Sequence, residues 1–326
     1  MDIGFHPAWP KIFESAYGYK FTKIIGGRND SEQVPIYEIN RSSFRQVLTN
    51  SPFALQTSFD FDSPEQRIDF FEGMRRTALN RKMPFNIKLR SDIDAKTCHD
   101  LSIFPRLASI YSYFNLQASH EVQFSSYPEN LRKKLKRALN WQKKGGSVVE
   151  DPTPSPEKLR QFHYKLETSY RREHRTLCHP FRFFSEISRH FSESEDFILI
   201  RIEDENELCG AAIFLKFDER AEYAWGFSAP AYKQKNVASL IIDHGVRWAI
   251  SNGCRIFSMG CSDPSDANLI EYKSRWGCLH QNVFHYTSGL SNSSMAQLQK
   301  FVSPMIPIIP ARIYSLLNQK IVPILG

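Results

Sequence analysis

The sequence lacks several features that would place it in common classes of protein. Its six cysteines lie far apart, with no C-x-x-C pair and no histidines at zinc-ligand spacing, which argues against a disulfide scaffold or a zinc motif. The first 14 residues lack the basic and apolar regions of a secretory signal. The most apolar stretch, 301–325, is broken by four prolines and two cations, so no spanning helix of about 20 apolar residues is predicted. We therefore expect reduced thiols in a cytoplasmic protein.

Acidic residues are missing from one part of the chain. The 326 residues include 42 Lys+Arg and 35 Asp+Glu, a net charge of +7. The segment 131–147 holds seven basic residues and no acidic one, so the rest of the chain is balanced. This excludes a protein that coats nucleic acid through charge spread over its whole surface. The seven are Arg132, Lys133, Lys134, Lys136, Arg137, Lys143 and Lys144.

The cationic segment is predicted to be an amphipathic helix. Ser126 and Glu129 have capping-box spacing, so the helix should begin near Tyr127 and end before Gly145. Its apolar face would hold Leu131, Leu135, Ala138 and Leu139. Two interpretations stay open for the cationic face. It is either a solvated surface or a docking surface for an anionic partner, which would be a tRNA, an acidic carrier protein or anionic lipid.

Alternating element types predict an α/β fold. The first half reads as helix 8–17 closed by Gly18, then strands 20–25, 34–40 and 53–58. A helix to residue 81 follows, capped by Ser63 with Pro64 at its first position, and then strand 85–89. The second half reads as helices 155–172 and 181–191, strands 197–202, 208–217 and 221–227, helix 233–251, a parallel strand 255–259, helix 268–274 and strand 279–286. The order within the two halves is similar. We therefore predict tandem domains, each with a mixed, mostly antiparallel sheet flanked by helices.

Four segments follow from this reading. They are an N-terminal domain (1–125), a basic connecting helix (126–147), a C-terminal domain (148–290) and a helical tail (291–326). In the tail, Pro310 would start a short helix with Ile313, Leu316, Leu317 and Ile321 on one side. That helix either docks on the core or makes a peripheral contact with a membrane.

Two motifs in the second half carry candidate chemistry. In strand 221–227, Tyr223, Trp225 and Phe227 alternate onto one predicted face, with Ser228 at the strand end, where they either line a substrate groove or fill the core. In 270–277, Lys273 lies at a helix-to-strand junction. A lysine there can donate to an oxygen that becomes negative during acyl transfer. The alternative is a surface lysine that covers Trp276.

Five segments, in this order, resemble the FemAB-like branch of the GNAT acyltransferase superfamily. They are His6-Pro7-Ala8-Trp9, Leu131 to Ala138, Tyr223 to Ser228, Arg247-Trp248-Ala249-Ile250 with Gly253-Cys254, and Tyr272-Lys273-x-x-Trp276-Gly277. The resemblance implies twin GNAT-like domains, of which the second is better preserved and catalytic. It implies direct transfer of an acyl or aminoacyl group to an amine of a cell-envelope or polysaccharide-related acceptor, without metal. It also implies that Tyr272 and Lys273 face the donor while Tyr223, Trp225 and Ser228 line the channel.

The donor stays open. The turn 233–238 lacks the glycines with which GNAT enzymes bind the pyrophosphate of CoA, although Lys233 and Lys235 could still contact phosphate. Arg132 and Lys136 of the cationic helix are further candidates for anion binding. The long helical hairpin that cell-wall members often use for tRNA is also not apparent. We therefore expect no tightly bound cofactor and an acyl donor, aminoacyl-tRNA, acyl-carrier protein or acyl-CoA, as cosubstrate.

The proton acceptor and the class of protein also stay open. His174 is a candidate base, with Asp263 and Asp266 as competitors, and Arg275 is a candidate substrate contact. Two other functions compete with FemAB-like transfer. One is a non-catalytic RNA- or lipid-binding module, and the other is a small-molecule acetyltransferase that uses acetyl-CoA. We expect a cytoplasmic protein that is peripheral at the inner membrane if its tail contacts lipid.

Overall fold

The computed structural model describes residues 3–25, 33–42, 45–50, 63–90, 92–205, 207–288 and 303–325. Spatial contacts divide the chain into two compact units. Unit 1 comprises residues 1–3, 110–166 and 187–281, and unit 2 comprises residues 4–109, 167–186 and 282–326. The sequence-based boundaries at residues 125, 147 and 290 stay a prediction.

The described residues form helices and strands in the alternating order that the sequence predicts. The α-helices are α1 (Trp9–Tyr17), α2 (Pro64–Arg81), α3 (Ala95–Asp100), α4 (His120–Ser126), α5 (Glu129–Gln142), α6 (Pro156–Ser169), α7 (Phe181–Ser192), α8 (Val237–Ser251), α9 (Ala267–Ser274) and α10 (Ala311–Leu325). The strands are β1 (Lys20–Ile25), β2 (Gln33–Ser42), β3 (Arg45–Thr49), β4 (Phe85–Leu89), β5 (Phe104–Asn115), β6 (Gly146–Asp151), β7 (Phe197–Asp204), β8 (Glu207–Phe217), β9 (Arg220–Ser228), β10 (Ile256–Ser262) and β11 (Leu279–Ser288). Short 3-10 turns cover Ile3–Phe5, Pro230–Lys235 and Ser303–Ile308, and Tyr170–His174 is a π-helical turn.

Unit 2 contains a sheet with the strand order β1-β2-β3-β4-β11. Its neighbouring strands are antiparallel except for β3 and β4, which are parallel. The apolar face of α2, with Phe70, Phe71 and Met74, packs on this sheet in one core cluster. Ser63 caps α2 by accepting a hydrogen bond from Gln66 N, as the sequence predicts.

Unit 1 contains a sheet with the order β5-β10-β9-β8-β7-β6, to which β5 contributes residues 110–115. Again one pair, β9 and β10, is parallel while the other register pairs are antiparallel. Helices α5 and α8 bury their apolar faces against it. The predicted fold class, mixed and mostly antiparallel sheets flanked by helices, is therefore confirmed.

Several local predictions were wrong. Ser126 does not cap the cationic helix, because its Oγ donates to Gln123 O within α4 and α5 starts only at Glu129. Glu129 instead pairs with Lys133. The helix predicted from residue 233 starts at Val237, after the 3-10 turn. Strands β3, β5 and β6 were missed, and the predicted strand 53–58 lies outside the described residues.

Candidate active site

The ladder between the two parallel strands of unit 1 ends after a short paired stretch. Residues Ile256 to Ser258 of β10 pair with Arg220 to Glu222 of β9, and the register ends there. Both strands continue, β9 to Ser228 and β10 to Ser262. A parallel pair that stops early leaves backbone edges facing a gap, where an extended ligand can bind between the strands. We call this place the β9/β10 junction.

A bulge in β9 changes the predicted aromatic row. Opposite β8, Trp225 pairs with Ile213 while Tyr223 pairs with Phe214, so Ala224 is the extra residue. Since Ile213 and Phe214 point to opposite faces, Tyr223 and Trp225 do so as well. The prediction that Tyr223, Trp225 and Phe227 share a face was therefore wrong. A bulge leaves no period-2 signature that a sequence pattern would reveal.

Gly226, on the same strand, leaves the space that the Tyr223 side chain occupies. The Tyr223 ring packs edge-on against Phe214 at a centroid distance of 5.5 Å. A methyl group at Gly226 would collide with the Tyr223 hydroxyl and with Ala212 Cβ. Burial and then the neighbouring Tyr272 raise the pKa of Tyr223 well above its ordinary value. The structure thus brings Tyr223 beside Tyr272, and both side chains are partly buried; desolvation likewise raises the pKa of Tyr272.

Trp225 and Ser228 lie elsewhere on the strand. Trp225 is buried on the face that carries Phe227, whose ring packs near Phe162 of α6. Ser228 is half-buried and pairs with Gly210 of β8. The structure therefore does not place Trp225 with Tyr223 and Tyr272.

Lys273 of α9 is buried beneath the open part of β10. Its side chain is 4% exposed, so it is not a surface lysine over Trp276. Its Nζ donates to Gly260 O at 2.9 Å and to Cys261 O at 3.2 Å. These carbonyls lie where β10 slips register against β5, and Gly260 has a φ of +69°, which favours glycine.

The buried environment of Lys273 lowers the pKa of its ammonium group. Burial lowers the pKa of Lys273 from 10.5 to about 8, and the thiol of Cys261, as the largest opposing influence, limits that shift. The ammonium is therefore the main form at neutral pH. Within the described residues two carbonyls accept its hydrogen bonds, so one of its three N–H groups is available to another acceptor.

His280 lies close to this lysine and was missed by the sequence reasoning. Its Nδ1 is 3.0 Å from Ser112 Oγ and its Nε2 is 2.7 Å from Ser274 Oγ. Burial and then the charge of Lys273 lower its pKa, so the neutral imidazole, which can accept a proton, prevails at pH 7. A single histidine at the start of a strand carries no sequence signal, since only folding brings it to Ser112.

The other candidates from the sequence have local roles. Asp263 Oδ1 accepts hydrogen bonds from Ser265, and Asp266 caps α9 through Leu269 N. His174 lies in unit 2, in the π-helical turn, with its ring 5.4 Å from that of Tyr170. Arg275 is exposed and pairs with Glu271. Their predicted roles in the reaction stay predictions.

The cationic helix and the lysine turn, far apart in the sequence, meet in unit 1. Helix α5 packs against the 3-10 turn Pro230–Lys235, with the Trp141 and Tyr232 rings 6.1 Å apart. Arg132 is half-buried, and the exposed basic residues nearby are Lys136, Arg137, Lys143, Lys144, Lys233 and Lys235. We call these seven residues the cationic surface. The turn leads directly into α8, and Asn236 between them has a φ of +57°.

The residues that the structure describes form neither a metal-binding group nor a membrane-spanning helix. They contain no group of three or more His, Cys, Asp or Glu side chains placed to hold a metal ion. In the same ranges, no helix combines the length and apolar character needed to cross a membrane.

The family comparison matches residues 129–274 to the family described as "Acetyltransferase (GNAT) domain". The match covers the β9/β10 junction and Lys273 but less than half of the chain. No curated protein sequence matches significantly.

Solved structures similar to this chain extend over nearly its full length. FemX has 13% identity and a TM-score of 0.66, covering 90% of this chain and 93% of its own. The C-terminal domain of a putative lysylphosphatidylglycerol synthetase from Agrobacterium fabrum has 10% identity and a TM-score of 0.58, covering 93% and 92%. L-PGS from Bacillus licheniformis has 11% identity and a TM-score of 0.56, covering 92% and 97%. At these identities the likeness establishes the fold.

These findings bear out the resemblance seen in the sequence. The segments in α5, β9 and α8 and the pair Tyr272-Lys273 lie within the matched range, whereas His6 to Trp9 and Trp276-Gly277 lie outside it. Residues 129–274 thus match the acetyltransferase (GNAT) domain family, and the chain has the fold of FemX, that of the FemAB-like branch of GNAT proteins.

Proposed function

We propose that this protein is an N-acyltransferase that moves an acyl or aminoacyl group from an activated donor to an amine at the β9/β10 junction. The observation that carries the proposal is the early end of the parallel pairing directly above the buried Lys273. The gap offers backbone groups to an extended donor, and the ammonium offers a donor to its carbonyl oxygen. The GNAT match over residues 129–274 supports the same reaction class.

The reaction needs one stabilised oxyanion and one proton acceptor. The amine nitrogen attacks the acyl carbon, a C–N bond forms, and the carbonyl electron pair moves to oxygen, where the free N–H of Lys273 stabilises it. His280 takes the proton of the attacking amine. The intermediate then re-forms the carbonyl and expels a thiolate or an alkoxide, which takes up that proton. Tyr272 and Tyr223 would border the acyl group.

The cationic surface supports an anionic donor. Phosphate groups of CoA, of a carrier-protein prosthetic group or of tRNA would contact Lys233 and Lys235 at the start of α8, and a longer polyanion would continue along α5 to Lys136 and Arg132. The extent of this surface favours a donor larger than CoA. We propose aminoacyl-tRNA or an acyl-carrier protein before acyl-CoA.

The acceptor is proposed to belong to the cell envelope. One similar structure is the C-terminal domain of a putative lysylphosphatidylglycerol synthetase, a name that for that protein indicates a lipid product. An amine on an envelope or polysaccharide intermediate at the inner face of the membrane would fit a cytoplasmic enzyme with peripheral membrane contact.

A transfer assay tests the proposal directly. Purified protein is incubated with radiolabelled aminoacyl-tRNA, acyl-carrier protein or acetyl-CoA and with an envelope-precursor extract, and labelled amide product is measured. We expect transfer by the wild type and a loss in Lys273→Met. Lys216→Met is the matched control, because Lys216 is also shielded, pairs with Asp196 and lies on β8, across β9 from β10. Equal rates for both variants would overturn the role of Lys273.

The cationic surface also favours a second candidate, a non-catalytic module that binds RNA. In that case RNA binding should weaken steeply with salt, and Lys233→Gln/Lys235→Gln should reduce the logarithmic salt slope by about 2. Lys158→Gln/Lys165→Gln on α6 is the matched control. RNA binding of this kind, with no labelled product from any of the three donors, would favour the module over the enzyme.

A further inference from the structure

The C-terminal helix α10 uses one face to dock within unit 2. Tyr314 Oη donates to Thr176 O at 2.6 Å. Asn318 makes two more bonds, since its Oδ1 accepts from Cys178 N in the same loop at 3.1 Å and its Nδ2 donates to Glu167 Oε1 of α6 at 2.8 Å. Val322 continues this buried face at i+4 spacing. Three directional hydrogen bonds fix which side of the helix faces outward.

The outward side is apolar. Ile313 and Leu316, which the sequence pattern placed on one side of the helix, are 50% and 57% exposed. In the preceding 3-10 turn, Met305 and Ile308 are exposed to 58% and 77% and share a side at i+3 spacing. Of 13 exposed large apolar side chains among the described residues, these four fall within 12 consecutive positions. Scattered apolar residues are ordinary on a surface, but such a concentration marks an interaction site.

The charge around these side chains identifies the partner. Residues 303–325 contain no Asp or Glu, and their only charged residues, Arg312 and Lys320, are both exposed. A segment with exposed apolar side chains, two cations and no acidic residue of its own is complementary to a bilayer with anionic headgroups. A protein partner would be expected to match a polar rim of mixed sign, which this segment lacks.

We propose that the C-terminal surface, defined by Met305, Ile308, Arg312, Ile313, Leu316 and Lys320, docks on a membrane containing anionic phospholipid. The four apolar side chains enter the headgroup boundary, and the two cations bind lipid phosphates. The helix lies along the membrane and does not span it. This inference stands independently of acyl transfer, because no residue of unit 1 takes part in it.

Vesicle binding tests the proposal on the full-length protein. Sedimentation with vesicles of phosphatidylcholine and 30% phosphatidylglycerol should retain the wild type, and vesicles of phosphatidylcholine alone should retain it about tenfold less. Ile313→Glu/Leu316→Glu should weaken binding at least tenfold, because both side chains lose apolar transfer and meet like charge. Arg312→Gln/Lys320→Gln should weaken it about tenfold or more, an effect that high salt should reduce.

Controls separate this outcome from misfolding and self-association. Leu79→Glu adds one such charge at another exposed apolar site, on α2, and should leave vesicle binding unchanged. Each variant should keep the thermal unfolding midpoint of the wild type within a few degrees, since Tyr314, Asn318 and Val322 are untouched. The proposal is overturned if the wild type does not sediment with anionic vesicles. It is also overturned if Ile313→Glu/Leu316→Glu changes the oligomeric state in sedimentation velocity but not vesicle binding.

Discussion

Among the strands that the structure describes, each unit has one parallel pair, and the two pairs end differently. In unit 2, β3 and β4 pair at only two positions, Leu48 with Phe85 and Thr49 with Asn86. Immediately beyond, the buried Asn50 side chain bonds both backbone groups of Lys88, with Nδ2 donating to its carbonyl and Oδ1 accepting from its N–H, both at 2.9 Å. A side-chain amide thus continues the ladder where the backbone pairing stops.

In unit 1 the corresponding place is left open. The β9 and β10 register ends at Glu222 and Ser258, and both strands carry irregularities just beyond, at Ala224 and around Gly260. Here a charged side chain, Lys273, approaches β10 and bonds carbonyls of β10 alone. The end of a parallel strand pair can thus be bridged by a side-chain amide, or it can be left without backbone pairing where the strands bulge. Only the open version offers a binding gap, which supports unit 1 as the catalytic half.

The largest effect is expected from the lysine at the open junction. Lys273→Met should lower kcat of acyl transfer by about 100- to 1000-fold, the range for loss of one oxyanion donor. The measurement is single-turnover transfer with saturating donor. Unchanged circular dichroism would show that the loss is chemical, whereas a wild-type kcat would remove the functional difference between the two junctions.

The closed junction should matter for stability and not for turnover. Asn50→Ala removes two buried hydrogen bonds and should lower the free energy of unfolding by about 2–4 kcal/mol. Urea unfolding measures this loss, and kcat at a temperature where the variant is folded should stay within twofold of wild type. A strong loss of kcat in the folded variant would contradict the assignment of catalysis to unit 1.

The glycine behind Tyr223 offers a smaller test. Gly226→Ala should force the Tyr223 side chain to move and cost about 1–3 kcal/mol of stability, with a fall in transfer rate. Tyr223→Phe removes the hydroxyl that the new methyl group would strike first. The double variant should therefore be more stable than the sum of the single changes predicts, as measured in a double-mutant cycle. Strict additivity would show that the two side chains do not meet.

The smallest effects concern pH. We expect kcat/KM to fall above about pH 8 as the Lys273 ammonium loses its proton, and to fall on the acid side at a pH below 6.5 as His280 is protonated. His280→Gln should remove the acid limb and keep the alkaline one. An acid limb that persists in His280→Gln would assign proton acceptance to another group.

The lowered pKa of Lys273 should also make the free energy of unfolding depend on pH. Because the folded pKa of about 8 lies below the unfolded 10.5, the folded state holds fewer protons between these values. The free energy of unfolding of the wild type should therefore rise relative to Lys273→Met from pH 8 to 10.5. Chemical denaturation across that range checks the direction.

Much of the fold followed from local signals in the sequence. Ser63 and Pro64 predicted the start of α2, Gly18 the left-handed end of α1, and the spacing of Leu131, Leu135 and Ala138 the buried face of α5. Each depends on neighbours within a few positions, which a sequence displays directly. The motif with Tyr272 and Lys273 and the implied reaction class were likewise available from the sequence.

Contacts between distant segments could not be predicted. The bulge at Ala224 reverses the orientation of Tyr223 without changing the alternating pattern around it. His280 becomes a candidate only because folding brings its ring to Ser112 and Ser274. The contact between α5 and the lysine turn likewise joins segments about 90 residues apart, which no local pattern predicts. Whether Ile313 faces inward or outward was decided by hydrogen bonds from Tyr314 and Asn318.

The sequence by itself determined most of the helices and strands, the net charge of +7 and its concentration in one helix, and the motif with Tyr272 and Lys273. The tertiary structure alone decided that one parallel junction is open and the other closed, that Lys273 is buried with a lowered pKa, and that α10 presents apolar side chains to the outside. The physical reason is that strand register, burial and desolvation depend on contacts between residues far apart in the sequence. These contacts produce no periodic pattern that a sequence could show.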